Sequence, residues 1–202
     1  MAESTAHERD QSRRCDWCTS DLLYIDYHDN EWGVPVADEQ ALFERLVLEG
    51  MQAGLSWLTI LKKRAHMASR FHSFAPERLA VTTSKEIEGW LQDPGVIRHR
   101  GKIEAMVNNA RLVGQMNGEF VPLLWSFVDG KPIQNGFDNG QAVPAETEQS
   151  QQMAKTLKKM GFRFVGPTIC YALMQSAGLV NDHLTSCPGF RRCGTIAESW
   201  TL

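Results

Sequence analysis

The sequence predicts an all-α fold, and three observations carry that prediction. Over most of the chain, apolar residues recur at three- and four-residue intervals, with little of the two-residue alternation of strands. Helix punctuation falls in the matching places: Asp38 and Ser150 stand before periodic runs, and Gly178 stands after one. No alternation of strand with helix is present that would build a βαβ unit.

Taken in order, the first element begins at Asp38, a side-chain acceptor for an N-cap, with Glu39 just inside it. Leu42, Phe43, Leu46, Gly50, Ala53, Trp57 and Leu61 then form one apolar stripe. This is one long helix or two in series, because Gly50 and Gly54 lie within the pattern; the basic run 61–64 marks its end. Shorter helices follow over Ser84–Gln92 and from Pro94 through Ile103, Met106, Val107, Ala110 and Val113, with Gly101 leaving the start of the latter open. Residues 120–128 read as a short buried helix, and 129–149, with scattered Gly, Pro, Asn and Asp, as a surface linker. Ser150 caps a helix to Met160, whose Lys158 and Lys159 suit the negative end of its dipole. Residues 161–167 are a tight connection to a helix over 168–177 closed by Gly178, which makes a helical hairpin. Beyond Gly189 no clear period is legible. The expected organisation is a flexible polar tail 1–14, a single domain 15–190 and a C-terminal tail 191–202.

Composition bounds the function. The 202 residues are 43% hydrophobic and 22% charged, enough for one sizeable core without a disulfide framework. Five cysteines, an odd number unevenly spaced, suit an intracellular chain whose thiols are core residues or metal ligands. The net charge of -3 excludes a polybasic nucleic-acid coat but leaves local basic patches. The longest apolar runs, 55–61 and 120–128, fall well short of the roughly 20 residues of a membrane span. No apolar run follows the first residues to make a signal peptide, so the chain is expected to be soluble and cytoplasmic.

Three constellations carry chemistry. Soft metal ligands lie at opposite ends: Cys15, Cys18 and His28, then His183, Cys187 and Cys193. His183-x3-Cys187 is a compact pair, and either Cys15 with His28 or a Cys15/Cys18 knuckle completes a tetrahedral quartet. On spacing alone, unpaired core thiols explain the same residues equally well. At about 100° per residue, Glu49 falls beside Leu42 on the edge of the apolar stripe, where a carboxylate is costly unless paired. Trp57, Tyr24, Tyr27 and Trp32 stand near it, so a pocket for a flat polar or cationic ring competes with an ordinary core acid among core aromatics. The loop GFRFVGP, 161–167, precedes a helix N-terminus and suits a phosphate, although most helix turns of this kind bind nothing. The cluster Arg98, His99, Arg100 and Lys102 reads by itself as a solvated face.

Five segments together resemble one family: YIDYHDNEWGVP (24–35), LEGMQAGLSW (48–57), IRHRGKI (97–103), GFRFVGPTICY (161–171) and LVNDH (179–183). They are similar to the 3-methyladenine DNA glycosylase I family of the helix-hairpin-helix DNA glycosylase superfamily, over roughly residues 15–187. The resemblance implies a helix-hairpin-helix glycosylase fold with a structural zinc joining the two ends through Cys15, His28, His183 and Cys187. Cys18 and Cys193 match no ligand position. It further implies a base pocket of Glu49, Tyr27 and Trp57 lined by Trp32 and Tyr24. DNA contacts fall to Gly161, Arg163 and Gly166 of the hairpin, with help from Arg98, Arg100 and Lys102, and Leu55 in the Gly54-Leu55 turn acts as a wedge. Many superfamily members carry an aspartate after the second hairpin helix; Asn181 stands there, with Asp182 one place on and expected to point differently. The implied activity is hydrolysis of the N-glycosyl bond of 3-methyladenine in alkylated double-stranded DNA, by a monomer that flips the base and does not cut the strand. A non-catalytic DNA-binding hairpin and a thiol redox protein are the rival classes.

Overall fold

The structure, a computed structural model, describes residues 14–202, and the expected tail 1–14 lies outside them except for Arg14. Among the described residues the chain forms ten α-helices and one two-stranded bridge. Helix α1 (Leu22–Asn30) starts at Asp21, whose carboxylate accepts the Leu23 N–H at 3.0 Å. The apolar stripe after Asp38 resolves into α2 (Glu39–Gln52) and α3 (Trp57–Arg70). Asp38 caps α2 by accepting the Ala41 N–H at 2.8 Å, as its side chain led one to expect. The break falls at Gly54, whose φ of +79° an L side chain adopts only with strain, and Ser56 caps α3 through the Thr59 N–H.

Next come α4 (Pro76–Ala80), α5 (Ser84–Gln92) and α6 (Arg100–Gln115). The sequence placed the start of α6 near Pro94, but the helix begins only after His99, whose ring accepts the Lys102 N–H. Residues 94–99 remain a turn. Helix α7 (Phe120–Ser126) matches the expected short buried segment. The supposed linker is more than surface: β1 (Ile133–Gln134) pairs in parallel with β2 (Val180–Asn181), with Ile133 opposite Val180, which ties the segment to the core. Helix α8 (Glu148–Lys159) begins one turn earlier than expected, because Thr147 caps it and Ser150 sits inside, each side chain bonding the other's backbone N–H. Helix α9 (Pro167–Ser176) follows the hairpin loop. The stretch beyond Gly189, without a legible period, is helix α10 (Pro188–Glu198).

Helix α2 organises the core. Leu42, Phe43, Leu46, Val47, Leu48 and Met51 are buried, and the helix packs against α3, α6, α7 and α9. Helix α8 lies on α9, and α4 on α6. No helix among the described residues is long and apolar enough to cross a membrane.

Gly178 closes α9 with paired bonds, Leu179 N–H to Met174 O at 2.9 Å and Gly178 N–H to Gln175 O at 3.3 Å. Its φ is +70°, and a Cβ there would meet Pro35 N at 2.3 Å and Val34 C at 2.4 Å, both backbone atoms. Gly178→Ala therefore combines a strained conformation with a backbone clash. The expected outcome is a loss of more than about 2 kcal/mol in denaturant unfolding, against the gain of about 0.4–1 kcal/mol that a Gly-to-Ala change brings where the backbone is unstrained.

Candidate functional site

The sequence-selected aromatics and Glu49 meet in one cavity of about 680 Å³ between the N-terminal segment and α9. Helix α1 supplies Tyr24 and Tyr27, three residues apart and so on one face, and the chain turns after it through the Trp32 N–H to Tyr27 O bond. Helix α2 supplies Glu49 and Gln52 by the same spacing, and α3 opens with Trp57. Opposite in sequence, α9 turns Thr168, Tyr171, Ala172 and Gln175 inward, an i, i+3, i+4, i+7 stripe. The Tyr27 and Trp57 rings lie 5.2 Å apart at 52°. The Trp57 indole N–H is buried with no protein acceptor among the described residues, which leaves a donor for a guest.

Glu49 is 5% exposed. Burial pushes its carboxyl up to about 7, opposed by a hydrogen bond with Ser176 and by the Arg45 charge. Arg45 itself donates to the Ser176 carbonyl. Burial likewise holds the Tyr27 phenol well above its ordinary value, and the Glu49 charge adds to the effect. Glu49 is thus poised between neutral acid and carboxylate, whereas Tyr27 stays a phenol.

Several cavity residues escaped sequence reasoning. Trp17 stands edge-on to Trp32 at 4.8 Å and to Tyr24 at 5.7 Å, and its only signal was its place between Cys15 and Cys18. Tyr171 and Gln175 look like core residues of an apolar helix. Asp182, expected to point differently from the superfamily acid, lines the cavity while only 2% exposed. It accepts from the Tyr171 hydroxyl at 2.6 Å, Gln175 Nε2 at 2.7 Å and Asn135 Nδ2 at 2.6 Å. Because a carboxylate takes the Nε2–H, the Gln175 amide keeps its oxygen as an acceptor on the wall. Asn181 is bonded instead to Gln134 Oε1 and the Phe190 carbonyl. Residues 140–145 of the supposed linker complete the wall.

Beside the cavity, Cys15, His28, His183 and Cys187 are all buried, with their donor atoms within 4.8 Å of one another. Cys15 Sγ and Cys187 Sγ each lie 3.5 Å from His183 Nδ1, and Cys187 Sγ lies 3.5 Å from His28 Nε2. The outer nitrogens are engaged: His28 Nδ1 with Asp29 at 2.7 Å, and His183 Nε2 with the Trp32 carbonyl at 3.0 Å. Two thiols and two oriented imidazoles form a group that could hold a metal ion. Of the other thiols, Cys193 is buried against the Trp32 carbonyl and His183 but stands outside the four-residue group, and Cys18 donates to the Thr19 carbonyl.

The hairpin loop and the Gly54-Leu55 turn lie at the surface. Arg163 and Leu55 are exposed, Gly161 is exposed and Gly166 half-buried. Of the basic cluster, Arg98 is exposed without an ion pair among the described residues, and Arg100 pairs with Glu88 at 2.8 Å. Lys102 departs from its expected role: it is 7% exposed and donates to two backbone carbonyls, so it is not free to meet a phosphate.

Comparison with known proteins gives the family. A family model described as methyladenine glycosylase matches residues 17–192. The DNA-3-methyladenine glycosylase 1 of Escherichia coli (strain K12) is 51% identical over 177 residues, 86% of this chain and 95% of its own. A crystal structure of a 3-methyladenine DNA glycosylase I superposes with a TM-score of 0.85 at 52% identity, covering 87% of this chain and 98% of that one. A variant of another such enzyme, solved in complex with 3-methyladenine, gives 0.83 at 39% identity over 87% and 96%. A helical scaffold that gathers an acid and aromatic rings into one cavity, matched over nearly its whole length, places the chain in the methyladenine glycosylase family of N-glycosyl hydrolases.

Proposed function

We propose that the chain releases 3-methyladenine from alkylated double-stranded DNA by hydrolysing its N-glycosyl bond, with the damaged base flipped into the Glu49 cavity. The observation that carries the reading is the buried Glu49 carboxyl sharing one cavity with Tyr27 and Trp57. A base alkylated at N3 is cationic while attached to the sugar, which makes it a good leaving group that needs little proton donation. The enzyme's work is therefore to extract, recognise and surround it. Extrusion is least costly for a base that stacks and pairs poorly. Tyr27 and Trp57 stack on the ring, with Trp32 and Tyr24 as lining. Glu49 accepts from its nitrogen edge, and because Glu49 is buried its charge acts with little screening on the cationic base. Normal bases are neutral and present a different edge, so they gain less. Water then takes the place of the base at the sugar. No lysine lines the cavity among the described residues, which supports a monofunctional reaction without a Schiff base or strand cleavage.

DNA is held through its backbone. The helical hairpin presents Gly161, Arg163, Gly166 and the α9 amides to phosphates, in the helix-hairpin-helix manner, and Leu55 wedges into the duplex. The exposed Arg100–Glu88 pair is weak enough to yield to a phosphate.

Zinc suits the four-residue group. Tetrahedral bonds of about 2.3 Å to sulfur and about 2.0 Å to nitrogen place S and N roughly 3.5 Å apart, the spacing that recurs three times here. With four protein ligands and no open position, a bound zinc supplies structural cross-linking and no activated water.

Glu49→Gln is expected to lower kcat/KM for 3-methyladenine release from methylated DNA by about 10²-fold while the protein stays folded. Unchanged release would remove Glu49 from the reaction. For the wild type, kcat/KM should rise with pH through about 7 as Glu49 ionises, and the variant should lose that rise. The folded-state carboxyl is raised above its ordinary 4.5, so the folded form binds the proton more tightly. Stability should therefore fall as pH climbs from 4.5 towards about 7, and Glu49→Gln should flatten that slope in denaturant titrations.

Elemental analysis of the purified protein should find one zinc per chain. Cys187→Ser should lose it together with several degrees of thermal stability, whereas Cys18→Ser should keep both. Full metal content in Cys187→Ser would overturn the quartet.

A further inference from the structure

Helix α6 reaches two surface loops with one face. Lys102 and Asn109 are seven residues apart, two turns and about 10 Å along the axis, so they project on the same side. Lys102 Nζ donates to the Met51 carbonyl at 2.8 Å and the Ala53 carbonyl at 2.6 Å. These carbonyls end α2, where the helix leaves them without intrahelical donors and where a cation meets the negative end of the dipole. The turn so held continues through Gly54 to the exposed Leu55, whose N–H bonds the Gln52 carbonyl.

Two turns on, Asn109 is 4% exposed and grips the hairpin loop at two points. Its Nδ2 donates to the Arg163 carbonyl at 2.9 Å, and its Oδ1 accepts the Arg163 N–H at 2.9 Å. Asn108 adds a bond from Nδ2 to the Gly161 carbonyl at 2.9 Å. Between the two fastenings there is little slack. Phe164 packs over Gly50, where an added Cβ would sit 3.4 Å from its own, and the void among these residues is about 10 Å³. The backbones of both loops are thus fixed to one rigid helix, while the side chains of Leu55 and Arg163 stay exposed.

Taking the Leu55 turn and the hairpin loop as DNA-facing, as in the reading above, we infer that α6 is the spacer between them, with Lys102 and Asn109 as positioning residues that set the distance from wedge to phosphate contact. A duplex offers its phosphates and base steps at fixed spacing, so a wedge and a backbone grip engage together only if their separation is held. The free base needs neither loop. The juxtaposition therefore separates DNA engagement from base recognition.

The experiment compares Lys102→Met, Asn109→Ala and the double variant with wild type. It measures steady-state base release from methylated duplex DNA and binding of free 3-methyladenine by tryptophan fluorescence. KM for DNA is expected to rise about tenfold in each single variant with kcat within a few-fold of wild type and the free-base affinity unchanged. The double variant should raise KM by less than the product of the singles, because a spacing already lost cannot be lost again. An unchanged KM in both singles, or a free-base affinity that falls in step with KM, overturns the inference. If Lys102→Met does not fold, Asn109→Ala alone decides by the same criteria. Failure of the wild type to release 3-methyladenine would instead overturn the functional reading on which the inference rests.

Discussion

The convergence of Cys15 and His28 with His183 and Cys187 is the constraint on which the site depends. Cys15 and His183 are 168 residues apart in sequence, yet their side chains meet at 3.5 Å. The cavity has one wall from the N-terminal segment, with Trp17, Tyr24, Tyr27 and Trp32, and another from α9 and β2, with Tyr171, Gln175 and Asp182. Trp32 belongs to both structures: its carbonyl receives His183 Nε2, and its ring lies edge-on to His183 at 4.6 Å while lining the cavity. The same contacts that close the chain on itself orient an aromatic wall. Cross-linking two distant segments is also where a metal adds most, because it removes the entropy of a long loop.

Within that frame the decisive electrostatic feature is the buried acid. An exposed pair such as Arg100 with Glu88 is screened by water and contributes little. Glu49 has lost that screening, so burial and the opposing pull of Ser176 and Arg45 leave its ionisation balanced near neutrality. A cationic guest tips the balance toward the carboxylate, and a neutral one does not. On the proposed reading, discrimination between an alkylated and an ordinary base rests on charge as well as shape. Asp182 acts differently. Three donors already occupy its oxygens, and their effect is to orient Tyr171 and Gln175 on the wall.

Much of the fold was legible because the signals are local. Asp38 capping α2, the bounds of α5, the hairpin and the closing Gly178 follow from side-chain hydrogen bonding and backbone conformation within a few residues. Helices α1 and α10 have start signals in Asp21 and Pro188 but no apolar stripe behind them. Only Tyr27 and His28 of α1, and Gly189 and Cys193 of α10, are buried, too few to draw a stripe. The start of α8 was misplaced by one turn because Thr147 and Ser150 are both capping residues, and only the reciprocal bonds decide between them.

Residue chemistry offered Glu49, the nearby aromatics and the His183–Cys187 pair only as candidates, since a carboxylate on an apolar stripe and His-x3-Cys spacing are readable in one dimension, and the family resemblance chose among them. Whether Cys15 pairs with His28 or with Cys18, that Trp17 and Asp182 face the cavity, that residues 140–145 close it, and that Lys102 is buried were decided by tertiary structure. The reason is the same in each case. Which face a side chain presents depends on what packs against it from far along the chain, and Lys102, on a helix start among exposed basic residues, is turned inward only because the end of α2 lies there with carbonyls to receive it.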